Sequence, residues 1–380
     1  MKKNVWLVTS LALGLSFTTV SCGSDDNESE YTKIANIDYS SANAENWGKY
    51  MVQVALRLQQ DANDLYDDWS KSYKGGKPYA ELFKNPVAEG NTFGKSVENL
   101  IDGCWDIANE VGGAKIGDPY DLYVDGKTEK ALYAVESWYS WHSREDYRNN
   151  IYSIRNAYYG TRNGSISEKS LSKAIAAVNP ALDTEVKNAI TNAADKIWAI
   201  PAPFRNNIAS AEAREASKAC QALAEILKNK LKPAAAKLSE EVLKPVVTDY
   251  VDVVVLPTYA DLKRENTKLY EAVVAFQKAP SQAAMNACAA QWLVAREPWE
   301  TSEAFLFGPV ADRGLDPNMD SWPLDQAGIV QVLEKASFGD LDWTGEYDED
   351  DKKIAKTQSL RGFHTLEFLI FKDGKARVIK

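Results

Sequence analysis

The feature that most constrains this chain is how regularly its apolar residues return every third or fourth position. Tyr50, Val54, Leu58, Leu65 and Trp69 lie on one face of a helix predicted over residues 45–72, and Phe93, Val97, Leu100, Ile101, Trp105 and Ala108 mark a second. Stretches at 132–141, 151–159, 171–178, 186–200 and 209–231 continue the series. A long helix is predicted from about 247 to 278, to be kinked or broken at Pro257, followed by helices at 283–296 and 357–371. Residues 298–322 read as irregular and aromatic-rich, and 339–351 as an acidic loop. The alternation that marks strands is scarce. The expected fold class is all-α, two helical bundles packed side by side, with residues 45–232 in one, 246–380 in the other and a junction at 233–245.

The N-terminus reads as an address. Lys2 and Lys3 precede an apolar run that closes on a small residue and Cys22, a pattern resembling the lipobox of bacterial lipoproteins. The apolar run is short for a membrane span, which needs about 20 residues. Cys22 is therefore the expected lipidation site. Residues 23–44 are expected to form an acidic flexible tether, because the stretch after Cys22 has no large apolar group to pack. The tether resembles the export signal of surface-exposed Bacteroidetes lipoproteins, so an outer-membrane, surface-exposed location is expected, with the membrane as partner through Cys22.

Removing the two lysines with residues 1–21 takes the formal charge from −10 to −12. That balance disfavours nucleic acid, whose phosphates require clustered Lys and Arg. Cys104, Cys220 and Cys288 match no zinc spacing and read as small buried hydrophobes.

The stretch GFHTLE at 362–367 places His364 and Glu367 three apart, on one face if helical. The pair supplies at most half of a metal site, so other donors must converge on it. Glu297, Glu300 and Glu303 are spaced by three in REPWETSEAFLFGP at 296–309, and Asp325 closes DSWPLD at 320–325. Glu136, His142 and Asp146 are further candidates, the last two an i, i+4 pair if helical. Arg296 and Arg361 could orient carboxylates or bind an anionic ligand. Trp299, Phe305, Phe307 and Trp322 read as core or pocket wall, and Gly362 as a close approach or a helix start. A carboxylate-rich, histidine-poor donor set suits iron, manganese or calcium better than thiolate zinc. Iron is the favoured divalent or ferric ion, with zinc and calcium as alternatives.

The block at 296–325 followed by GFHTLE resembles the imelysin-like proteins, also called the iron-regulated or peptidase M75 family and marked by a G-x-H-x-x-E motif. The resemblance extends to YVDVVVLPTYA at 250–260 and ESWYSWHSREDYRNNIYSIRNAYYG at 136–160, but in altered order. In the family the half that resembles 250–380 comes first, and here it comes second. This suggests a circular permutation whose ancestral ends are joined through residues 232–245. The resemblance implies two four-helix-type bundles with the motif at their interface. It also implies a role in iron or other metal acquisition, with transport components as expected partners, together with a peptidase label. The chain itself holds neither H-E-x-x-H nor H-x-x-E-H, because residue 368 is Phe. A metal-dependent peptidase and a structural or adhesive surface module are the alternative readings.

Overall fold

The apolar stripes become helices. In the computed structural model, which describes residues 37–379, α1 spans Ala44–Ser70, α2 Phe93–Glu110, α3 Ser143–Tyr159, α4 Pro180–Ala199 and α5 Ala211–Ile226. They are followed by α6 (Leu256–Lys278), α7 (Gln282–Glu300), α8 (Leu315–Asp320) and α9 (Gly362–Ile370). Several starts follow from local chemistry. The hydroxyls of Thr92, Ser210 and Ser281 each accept the amide three residues on, and Asn179 does the same ahead of Pro180.

Helices α1, α6, α7 and α9 pack together, and α2, α3, α4 and α5 form a second group. The two bundles lie side by side within one unit covering residues 38–380. The all-α expectation holds. The strands among the described residues are one two-residue hairpin, β1 (Phe371–Lys372) with β2 (Lys375–Ala376). None of the described helices is long and apolar enough to cross a membrane. Cys104, Cys220 and Cys288 are buried with free thiols, and burial pushes those of Cys220 and Cys288 up to about 12.

The structure revises several boundaries. Helix α1 packs with the C-terminal bundle and not with residues 93–232, so the partition at 45–232 does not follow the packing. Its Trp47, Tyr50, Val54, Leu58, Leu65 and Trp69 are buried, Trp47 against Phe368, and Trp69 against Tyr259 and Phe307 as well as Tyr79 and Phe83. The expected tether ends earlier than residue 44, because Asp38 pairs with Arg377 (3.0 Å) and Tyr39 is buried. The region before Ile37, Cys22 included, lies outside the described residues.

The expected junction is largely helical: Lys232–Ala235, an exposed turn, then Glu240–Asp249. Pro257 does not break the run, because a π-helical turn at Tyr250–Val255 precedes it. A wider turn leaves room for a proline ring that would strike the carbonyl of a tight one. Helix α7 also continues through Pro298. The predicted last helix is two, Lys352–Gln358 and α9, separated where Arg361 is extended and Gly362 has φ +91°.

The two ends of the unit meet. The Trp47 indole N–H donates to the Leu369 carbonyl at 3.0 Å, and the Arg377 guanidinium lies over both Trp47 and Phe368. That adjacency is what a permuted chain requires.

Candidate metal centre

Arg296, Trp299 and Glu300 occupy the last turns of α7, where it meets α3 of the other bundle. The chain then makes a short 3-10 turn, Glu303–Phe305, seated on α2 and α3. This seat exists because residue 103 on α2 is glycine: a Cβ there would overlap the carbonyl oxygen of Ala304. Ser153 Oγ accepts the Ala304 amide at 3.0 Å and clamps the turn from α3. Helix α8 brings Asp320 to the same place. Helix α9 packs directly on α8, because Gly362 approaches to where a Cβ would stand 2.5 Å from the Met319 carbonyl oxygen.

These elements converge on three carboxylates. Oxygens of Glu300, Glu303 and Asp320 lie within 4.8 Å of one another, buried between the bundles. Asp320 is the most firmly held. It pairs with the Arg296 guanidinium, faces His364 Nε2 at 3.1 Å and accepts the Trp299 indole N–H at 2.7 Å. Burial alone would raise its pKa, but Arg296 and His364 hold it well below the ordinary carboxylate range. Glu300 Oε1 stands 2.6 Å from Arg296 but off the angle of a hydrogen bond, and Oε2 accepts from Asn150 Nδ2 at 2.5 Å. Burial, reinforced by Asp146 and Asp320, pushes Glu300 up to about 8 against the pull of Arg296.

Glu303 differs from both. It is 8% exposed, and its carboxylate has no hydrogen bond or ion pair among the described residues. Burial drives its pKa well up, with the charge of Lys115 opposing and that of Glu300 adding.

His364 and Glu367 support this triad and do not point free donors into it. Both ring nitrogens of His364 are engaged, Nε2 with Asp320 and Nδ1 with Glu367 Oε2 at 3.0 Å. Burial and Arg296 pull its pKa down, yet the two carboxylates outweigh them and hold it at about 9. Glu367 Oε1 accepts the backbone amides of Tyr139 and Ser140 at 3.1 and 2.7 Å. Gly362, His364 and Glu367 therefore act in sequence: close approach, charged bridge, anchored carboxylate. Trp322 closes this side, its ring centroid 4.9 Å from that of His364.

The other candidates fall at differing distances from the triad. Asp146 joins it at the edge, 3.8 Å from Arg296 Nε, bonded by Ser137 Oγ and paired at 2.8 Å with His142, which it helps lift to about 9 against burial. Glu136 is taken up by Lys115 at 3.0 Å. Glu297 is exposed, because one side of α7 faces solvent, so the proposed Glu297–Glu300 pairing does not form. Arg361 orients no carboxylate of the triad; it pairs with Asp61 on α1 at 2.5 Å. Asp325 is an N-cap, accepting the Gly328 amide at 2.9 Å. Asp320, Asn150 and Lys115 were not singled out from sequence. Asp320 opens the recognised DSWPLD block and Asn150 lies within the recognised stretch at 136–160, whereas Lys115 lies outside both and has no local signal.

The chain is similar to known proteins over most of its length. The profile of the imelysin family, peptidase M75, matches residues 24–230 and 255–379. The curated "Iron-regulated protein A" of Synechococcus elongatus (strain ATCC 33912 / PCC 7942 / FACHB-805) is 34% identical over 125 residues, which is 33% of this chain and 31% of that protein. The match thus spans about a third of that relative's length. The crystal structure of an imelysin peptidase from Bacteroides ovatus superposes with a TM-score of 0.88 at 54% identity, covering 91% of this chain and all of that one. The chain belongs to the imelysin family.

Proposed function

We propose that the protein binds a hard metal cation, iron foremost, as cargo at Glu300, Glu303 and Asp320. The observation that carries this reading is Glu303, a carboxylate 8% exposed, with no hydrogen bond or ion pair among the described residues, whose oxygen converges with those of two other acids. An ionised carboxylate withdrawn from water without a counter-ion costs several kcal/mol, and a bound cation offsets that cost. Burial raises the pKa of Glu300 and Glu303, so an arriving cation would displace their protons and take up the charge that the dry site disfavours. Oxygen donors alone suit iron(II), manganese or calcium better than zinc, which favours nitrogen and sulfur. Iron is favoured because the Synechococcus relative is called an iron-regulated protein. The role proposed is metal uptake by a lipoprotein held at the outer membrane through Cys22, exposed at the cell surface and passing its cargo to transport components.

Hydrolysis fits this geometry less well. A catalytic metal needs a free base beside its water. His364, the histidine of the motif, is committed at both nitrogens and stays protonated to about pH 9.

The test is calorimetric titration of the soluble chain with manganese(II), and with iron(II) under anaerobic conditions, beside Glu303→Gln. The wild type is expected to bind one ion, gaining about 2.7 kcal/mol of stability at a free concentration one hundred times Kd. Glu303→Gln is expected to bind at least about tenfold more weakly, a loss of about 1.4 kcal/mol. A wild type that neither binds nor gains stability overturns the reading.

A further inference from the structure

We propose that Lys115 is a buried, tethered cation beside the triad whose charge opposes an arriving metal ion, and that it thereby sets the affinity of the site. This inference rests on the cation reading above.

Lys115 ends a π-helical turn, Val111–Lys115, that extends α2. The turn is fastened to α5, where Ser217 Oγ donates to the Gly112 carbonyl at 2.6 Å. A lysine is among the residues least often buried, yet Lys115 is 4% exposed. Its ammonium stands 3.0 and 3.2 Å from the Glu136 oxygens and 3.5 Å from Glu110. It also lies within electrostatic reach of Glu303 and Glu300.

The surrounding acids are graded in depth. Glu110 and Asp316 reach solvent, whereas Glu300 and Glu303 are buried. Asp316 sits one turn before Asp320 on α8, so the two share a face. The ammonium of Lys115 thus pairs with Glu110, which reaches solvent, and lies within electrostatic reach of the buried Glu303 and Glu300. A fixed positive charge in a low-dielectric site opposes any mobile one arriving beside it. In the metal-free protein the same charge offsets part of the repulsion among the acids. Removing it should leave the donors in place and raise their affinity for a cation. Were the cargo an anionic metal chelate, Lys115 would be one of its contacts and its removal would weaken binding.

The experiment measures manganese(II) affinity for wild type, Lys115→Met, Lys115→Arg and the double variant Lys115→Met with Glu136→Gln. Circular dichroism melting confirms that each is folded, and Lys115→Gln substitutes if the methionine variant is not. Lys115→Met is expected to bind at least about tenfold tighter, Lys115→Arg to stay near wild type, and the double variant to keep the gain. Retention in the double variant shows that the freed Glu136 has not simply become a new ligand. An unchanged or weakened affinity in Lys115→Met overturns the inference, as does a gain that vanishes in the double variant. If wild type binds and Glu303→Gln binds equally well, the triad reading falls on its own. If no variant binds manganese(II), Lys115→Met included, both readings fall.

Discussion

His364 shows how a single side chain can be central to a site without being its ligand. Its imidazolium joins Asp320 to Glu367, and Glu367 is in turn fixed by two backbone amides. Removing the ring would leave two buried carboxylates short of a partner, so His364→Ala should destabilise the fold by about 3–5 kcal/mol, measured by denaturant titration with EDTA present. The pH dependence follows from the same shifts. The folded value of His364, about 9, lies above its ordinary 6.5, so its contribution is complete below pH 6.5 and lost as pH rises through about 9. Glu300 acts in the same direction: its folded value of about 8 exceeds 4.5, and stability falls as pH rises between them. Asp320 acts oppositely, its depressed value giving stability that is lost only as the solution becomes more acidic than its ordinary 3.8. The metal-free protein should therefore melt at progressively lower temperature from about pH 5 to about pH 9. His364→Ala should flatten the upper part of that slope. A melting temperature that rises over this range would contradict the ion-pair assignment. The pairing of His364 with Glu367 was legible from their spacing of three. The engagement of the second nitrogen was not, because Asp320 lies 44 positions earlier and reaches His364 only through the packing of α8 on α9.

At the scale of elements, the site depends on two glycines that let helices approach more closely than side chains allow. Gly103 admits the Glu303–Phe305 turn to the face of α2, and Gly362, at φ +91°, brings α9 against α8. Both contacts are with backbone carbonyls, which cannot swing aside as a flexible side chain can. Gly362→Ala adds a disfavoured conformation to overpacking and should cost about 3 kcal/mol. Gly103→Ala should cost about 1–3 kcal/mol. It should also weaken manganese(II) binding, because the turn that carries Glu303 must shift while Glu300 and Asp320 stay in place. Equal loss of affinity in an alanine variant of similar stability on α4, far from the site, would show that the effect is merely general. The helices themselves were readable from their apolar period, and several starts from their caps. The prolines misled: Pro257 and Pro298 lie within helical runs, and the π-helical turn that accommodates Pro257 has no mark in the apolar pattern. Gly103 could not be interpreted from sequence, since the reason for it stands 201 positions away at Ala304.

For the molecule as a whole, the grouping of α1 with α6, α7 and α9 makes the first and last parts of the chain neighbours in one bundle. Asp38 and Arg377 are in direct contact, and the Ile379 amide donates to Gln282 Oε1 at 3.0 Å. The ends therefore meet on the bundle that carries the motif, and the order of the halves is compatible with permutation of an ancestral chain through residues 232–245. The fold class and the pairing of two bundles could be read from the apolar period. The membership of α1 could not, because an amphipathic stripe does not say which core it fills. If permutation is the history, connectivity at the present ends and at the present junction should be exchangeable. A chain joined from residue 379 to residue 38 by a short glycine-serine linker, and opened at the exposed turn between Ala235 and Glu240, tests this directly. The cut should spare Glu240, whose carboxylate accepts the Phe93 and Gly94 amides at 2.7 and 3.0 Å and so secures the start of α2. No buried apolar side chain lies between the cut points, and the new linker spans ends already in contact. Such a chain should fold to the same helical content, melt within a few degrees of the original and bind manganese(II) with unchanged affinity. A chain that remains unfolded, or that folds but loses the cation, would show that the present connectivity is itself part of how the two bundles and the triad between them are held.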